Sequence, residues 1–168
     1  VVVKRVPPGD TLARWVCDQC GEIHYQNPKL VIGTIPEHRK KILLCRRAIE
    51  PRYGYWTLPA GFMENDETTG QAALRETLEE SGAQIELGAP FSMISVPHVN
   101  QVHLFYRARL LGLEFKPGEE TLEVALFEEA HVPWKEIAFR TVAATLGHWF
   151  ADRKSGAFGF HAEDLKLG

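Results

Sequence analysis

At 168 residues, with 45% hydrophobic and 24% charged side chains, the chain suits one soluble domain with a core of its own. A net charge of −3 gives no global attraction to nucleic acid or anionic membrane, and no apolar run approaches the roughly 20 residues of a membrane helix. Function must therefore reside in a local constellation of side chains.

The chain opens VVVKRVPPGD, too short and soon too polar for a signal peptide; it lacks an initiating Met, so upstream residues are expected. Three cysteines do not make a secreted disulfide framework, which points to a reducing, cytoplasmic setting. Residues 1–29 are rich in turn signals (PPGD, CDQCG, QNP) and read as a small segment apart from the main core. Within it Cys17 and Cys20 form one C-x-x-C, half of a tetrahedral zinc site. A second pair at ribbon spacing, about 15–20 residues upstream, is expected to precede Val1. His24 reads as structural rather than as a ligand.

From Leu30 the texture becomes β-rich. LVIGTI and KILLCRR, separated by PEHRK, predict a hairpin, with Cys45 a buried strand thiol and Arg46 and Arg47 on opposite faces at its end. EPRYGYW reads as a loop, and WTLPAGF as a short strand broken by Pro59 and Gly61. Residues 69–81 predict a helix, N-capped by Thr68 or Thr69 and stopped by Gly82. Strands are expected near 84–87, 91–96, in VHLFYRARLL and in TLEVALFEE, with FKPGEE a loop between the last two. VPWKEI is a short helix or turn. TVAATLGHWFADR is an amphipathic helix with Val142, Leu146, Trp149 and Phe150 on its apolar face. The main domain is thus 30–154, followed by a Gly-rich tail, 155–168, to which no element is assigned. The element order is mixed α/β rather than a strict βαβ alternation.

The helix at 69–81 raises the functional question. At about 100° per residue, Glu76, Glu79 and Glu80 share an arc of about 100° centred near Ala72, with Leu74 and Leu78 opposite as the expected buried back. Like charges at i,i+4 cost a helix a few tenths of a kcal/mol. A hard divalent cation removes that cost, because Mg²⁺ and Mn²⁺ prefer carboxylate oxygens. Arg75 can hold Glu79 or Glu67 in orientation. A merely solvated acidic face would not need the tight Pro59-Ala60-Gly61 backbone before it and Gly82 after it.

The stretch resembles the signature of the Nudix hydrolase family: G, five residues, E, seven residues, then R-E-U-x-E-E-x-G-U, with U a bulky aliphatic. Gly61, Glu67, Arg75, Glu76, Glu79, Glu80 and Gly82 supply every fixed position, and only Thr77 and Ala83 depart, at packing positions. The resemblance implies an α/β/α sandwich on a mixed sheet and hydrolysis of a nucleoside diphosphate linked to another moiety. It implies Glu76 and Glu80 as direct Mg²⁺ or Mn²⁺ ligands and Glu79 as a ligand or a holder of water. Glu67 and Arg75 would be supports, and the Ala60 carbonyl a further contact. Beyond the signature, VCDQCGEIHYQNP, CRRAIEPRYGYWTLPAGF and EVALFEEAHVPW resemble a subgroup bearing an N-terminal zinc ribbon that includes a plant chloroplast FAD pyrophosphatase.

That likeness makes FAD the first expected substrate, hydrolysed to FMN and AMP, with NADH and ADP-ribose next. It also implies a homodimer. Removal of nucleotide caps from RNA is an alternative that the acidic balance disfavours. A non-catalytic nucleotide sensor is another, disfavoured by the retained carboxylates. Glu120 in FKPGEE is the candidate added ligand or general base. Arg47 is the candidate phosphate contact, and Phe62 and Trp56, flanked by Tyr53 and Tyr55, are candidate stacking surfaces for a ring. His98 and His103 read as satisfied polar residues, not ligands.

Overall fold

A computed structural model describes residues 1–166. The turn-rich N-terminal segment forms its own antiparallel sheet of β1 (Val2–Arg5), β2 (Arg14–Cys17) and β3 (Ile23–His24). The remaining strands build one eight-stranded mixed sheet: β4 (Lys29–His38), β5 (Lys41–Arg47), β6 (Trp56–Thr57), β7 (Ala60–Phe62), β8 (Ile85–Val96), β9 (Gln101–Leu110), β10 (Thr121–Phe127) and β11 (His161–Asp164). Its main order is β10-β5-β4-β9-β8-β11, with β4/β9 and β8/β11 parallel and the other pairs antiparallel. The α-helices among the described residues are α1 (Thr69–Ser81) and α2 (Arg140–Ser155). No helix among the described residues is long and apolar enough to cross a membrane.

Strand alternation assigns the two faces. On β5, Ile42 and Leu44 join the cluster that receives Val142, Leu146, Trp149 and Phe150 of α2, while Leu43 and Cys45 face the other way. On β4, Ile35 belongs with α2 and Ile32 with Ala72 and Ala73 of α1. The sheet therefore lies between the two helices, which is the expected α/β/α sandwich.

The fork between β4 and β5 positions the site. The two strands pair only beside their turn, at Glu37/Ile42 and His38/Lys41. The turn is narrower than PEHRK suggests: Arg39 and Lys40 alone make it, both at positive φ, as a primed two-residue hairpin demands. Farther along the strands diverge, and residues 56–62 fill the gap, β6 along β5 and β7 along β4. Gly33 permits this approach, because a Cβ there would sit 2.5 Å from Ala60 Cβ and 2.6 Å from the Pro59 carbonyl.

Three expectations are corrected. Leu74 and Leu78 are exposed, at 41% and 53%, while Ala72, Ala73, Glu76, Thr77 and Ser81 are buried. The helix packs its small and hydroxyl residues against the sheet: Thr77 Oγ1 lies 2.6 Å from Thr34 Oγ1 and donates to the Ala73 carbonyl. The two strands predicted before residue 97 are one strand, β8, irregular between Leu87 and Ser92, where its register against β9 shifts. The tail contains β11, held by the parallel pairing and by His161, which bonds Asp152 and stacks on His148. Residues 167–168 of that tail lie outside the described residues.

Candidate active site

Thr68 caps α1, with a reciprocal capping box to Gln71, and Gly82 closes the helix in the left-handed region at φ 67°. Between these ends, packing on the sheet buries Glu76, leaves Glu80 half-buried and keeps Glu79 exposed. Glu76 is 9% exposed and points at β7. A Cβ on Gly61 would fall on the Glu76 carboxylate, so the glycine makes the space that this side chain fills. Thr77 and Ala83, the two departures from the signature, are buried packing residues.

Arg75 organises the cluster. Its Nε and Nη2 donate to the two oxygens of Glu67, at 2.5 and 3.0 Å. Nη1 donates to Glu76 at 2.6 Å and to Glu79 at 3.1 Å, and Nη2 also reaches the Phe62 carbonyl. The Arg75 fork and the Glu64 amide hold the Glu67 carboxyl down at about 2. One guanidinium thus serves three carboxylates.

Glu80 is not among them. Its Oε2 accepts one backbone N–H, from Ala60, at 3.2 Å. Burial pushes its carboxyl up to about 8; the Ala60 amide and Arg47 oppose the shift, and the neighbouring charges of Glu76 and Glu120 add to it. Glu76 is raised for the same first reason, against the pull of Arg75, with Glu79 and Glu120 contributing. Glu120 therefore sits in the same electrostatic neighbourhood as Glu76 and Glu80, although it is distant from them in sequence. Its carbonyl accepts from Ala48 N at 2.8 Å, which ties it to the end of β5.

Arg47, at that strand end, donates from Nε to the Pro51 carbonyl and lies over the Phe139 ring at 4.9 Å. Burial lowers its pKa, with Glu80, Glu120 and Glu50 acting the other way. Arg46 diverges to Gly54 and Glu123. Phe62 follows Gly61 and keeps an exposed ring, 47% accessible, with the Lys29 ammonium 5.0 Å from its centroid. Lys29 went unnoticed in the sequence because its only signal is its register on β4, two residues before Val31, the partner of Phe62.

Trp56 lies elsewhere than expected. It is 7% exposed, packed edge-on against Phe127 in the α2-side core, so it presents no open ring to a ligand. Tyr53 is exposed, and Tyr55 lies under Arg52. His103 is held between Thr141 and Gln101, and burial lowers its pKa to about 4. Among the described residues no three of His, Cys, Asp and Glu already stand as a ligating cluster; Arg75 engages Glu76 and Glu79 instead.

In the N-terminal sheet, the neighbouring backbone N–H groups of Cys20 and Gln19, with the Cys20 thiol, lower the pKa of Cys17. Cys20 is exposed, and Asp18 N donates to the Val1 carbonyl at 3.0 Å. The strand pairing Val2/Cys17 thus brings the start of the chain to the cysteine turn. Cys45 is buried, and burial raises its thiol pKa well above the usual value.

Comparison with known proteins agrees with this geometry. The NUDIX domain family matches residues 28–152, and the Nudix N-terminal zinc-ribbon family matches residues 1–26. An ADP-ribose pyrophosphatase from Methanocaldococcus jannaschii is 31% identical over 65% of this chain and 67% of its own. The NAD-capped RNA hydrolase NudC of Photobacterium profundum is 30% identical over 68% of this chain, which spans only 43% of that protein. A NUDIX hydrolase from Nitrosomonas europaea of known crystal structure superposes with a TM-score of 0.96 at 50% identity, covering 99% of this chain and 94% of that one. With the glycine–carboxylate–arginine arrangement in place and the family matched along most of the chain, this protein belongs to the Nudix hydrolases.

Proposed function

We propose that this chain hydrolyses the pyrophosphate bond of a dinucleotide-type substrate containing an ADP moiety, with ADP-ribose and NADH ahead of FAD. The carrying observation is the half-buried Glu80, which has one amide partner and stands next to Glu76, while the Arg75 guanidinium is taken up by Glu67, Glu76 and Glu79. Similarity to an ADP-ribose pyrophosphatase supports the order of substrates. FAD shares the AMP–pyrophosphate half but gains no specific support from the relatives.

The donor set fits a hard divalent cation, Mg²⁺ or Mn²⁺: oxygen atoms only, crowded beside Gly61, where a Cβ would fall on the Glu76 carboxylate. Glu76 and Glu80 would hold it, with Glu79 and the Ala60 carbonyl as further donors. When bound, such an ion neutralises phosphate oxygens and so lowers the barrier to attack at phosphorus. Arg75 keeps Glu76 and Glu79 oriented. Glu120 accepts the proton of the attacking water. A new P–O bond forms to that water, the bridging P–O bond breaks, and the departing phosphate carries the electron pair. Arg47 faces the diphosphate, and Phe62 with Lys29 offers a ring face to the base or the second nucleoside.

Purified protein incubated with Mg²⁺ or Mn²⁺ and each candidate tests this by product chromatography. ADP-ribose should give AMP and ribose 5-phosphate, NADH should give AMP and reduced nicotinamide mononucleotide, and FAD should give AMP and FMN. Equal and feeble turnover of all three would refute a dinucleotide role.

A second reading, removal of NAD caps from RNA, is favoured by the NudC similarity alone. An NAD-capped oligonucleotide in the same panel, with turnover falling steeply as salt rises, would establish it. We further propose residues 1–29 as a zinc-ribbon segment in which Cys17 and Cys20 hold half of a structural Zn²⁺ site. We also propose a cytoplasmic homodimer. Zinc content and light scattering of the full-length protein check the metal and the dimer.

A further inference from the structure

We infer that Gly118 is a positioning residue for the proposed reaction: it lets the 114–120 loop dock on the last turn of α1 and so sets Glu120 beside Glu76 and Glu80. The inference rests on the hydrolytic reading above and adds a residue that neither the Nudix signature nor the family match assigns a role.

The final carbonyls of an α-helix have no partner within the helix. Here the loop supplies them. Lys116 N donates to the Ser81 carbonyl at 2.8 Å, and Gly118 N donates to the Glu80 carbonyl at 3.1 Å. The helix turn that carries two of the signature carboxylates is therefore stitched to the loop through its own backbone. The approach is so close that a Cβ on Gly118 would overlap the Glu79 carbonyl oxygen, and would lie 3.4 Å from Glu80 Cα. These obstacles are helix backbone and cannot swing aside. Gly82 receives the same loop, since a Cβ there would lie 2.7 Å from Lys116 N.

From Gly118 the chain turns at once. Thr121 N donates back to the Gly118 carbonyl at 3.1 Å, and the Glu120 carbonyl accepts from Ala48 N, one residue beyond Arg47. The backbone at Glu120 is thus fixed from two sides, by α1 through Gly118 and by the end of β5 through Ala48. Without both anchors a carboxylate on an exposed loop would sample many positions, and general acid–base catalysis needs one within hydrogen-bond reach of the proton. Any side chain at Gly118 must lift the loop from α1 and carry Glu120 away.

The test is a double-mutant cycle on G118A and E120Q, with ADP-ribose and NADH as substrates and wild-type turnover measured first. Wild-type turnover checks the hydrolytic reading by itself; the cycle checks the positioning claim. Loss of a general base lowers kcat by about 100-fold or more. E120Q should show such a loss with KM little changed, and G118A should approach it. E120Q should then cost less than about threefold in the G118A background, because the base is already misplaced. Independent, multiplying losses, a harmless G118A, or a harmless E120Q would each overturn the inference. Amide exchange on the wild-type protein gives a readout independent of turnover and of how well G118A folds. The Lys116 and Gly118 amides should exchange as slowly as the last turn of α1; exchange at the rate of a free loop refutes the docking.

Discussion

Replacing Glu80 by Gln tests whether burial dominates the energetics of this side chain. Glu80 in the folded protein takes up a proton near pH 8, against an ordinary value of 4.5. Between those limits the folded state holds a proton that the unfolded state has released, so stability falls as pH rises. Below about pH 4.5 the penalty vanishes, because both states are protonated; above about 8 it is complete. At about 1.4 kcal/mol per pH unit the full difference would be roughly 5 kcal/mol, and partial access of solvent reduces the expectation to about 2–3 kcal/mol. Gln keeps an acceptor for the Ala60 amide but never ionises, so it escapes the penalty. In EDTA, urea unfolding should find E80Q close to wild type at pH 5 and more stable by about 2–3 kcal/mol at pH 9. Hydrolysis should fall by a factor on the order of 100–1,000 over the same range. Parallel stability curves from pH 5 to 9 would refute the claim that Glu80 is a half-buried, under-compensated carboxylate.

The same proton should appear on metal binding: titration with Mg²⁺ at pH 7, in two buffers of different ionisation enthalpy, should register release of up to about one proton, and close to none at pH 9. Arg75→Lys keeps the charge but loses the fork that grips both oxygens of Glu67, and kcat/KM should drop about 10–100-fold with little change in thermal midpoint. Gly61→Ala places a methyl on the Glu76 carboxylate, which should cost about 1–3 kcal/mol in urea unfolding and remove most turnover. Leu78→Gln, on the exposed side of α1, should stay within about 0.5 kcal/mol of wild type in the same assay.

How much of this was legible in the sequence follows from the range of the interactions involved. The limits and caps of α1 depend on residues within a turn of each other, and Thr68 and Gly82 act where their types predict. The signature spacing likewise identified Glu67, Arg75 and Glu76 as neighbours, and the Arg75 hydrogen bonds join all three. The rotation of α1 differs from the sequence expectation, because hydrophobicity places Leu74 and Leu78 inside, whereas the sheet at Thr34 and Ala60 receives the opposite side. Only close partners fit there: Thr77 and Ser81 satisfy their hydroxyls on the Ala73 and Thr77 carbonyls, and Thr77 also pairs with Thr34. A carboxylate on that same side must end near the rim of the sheet, where Gly61 and the Ala60 amide receive it.

Trp56 and β11 show the same dependence on distant partners. Trp56 turns inward because Phe127, 71 residues later on β10, supplies its edge contact, and β11 becomes a strand because β8 offers an unpaired edge. Glu120 could be nominated from composition but not placed, since its anchors are backbone groups of Ala48 and, through Gly118, of α1. The chemistry is thus written locally in α1, while its proximity to a fourth carboxylate depends on two loops meeting a helix end. A change at Gly118 or Gly61 would therefore disturb the site without altering any ionisable group, and substitutions at these glycines should mimic the loss of the acids they serve.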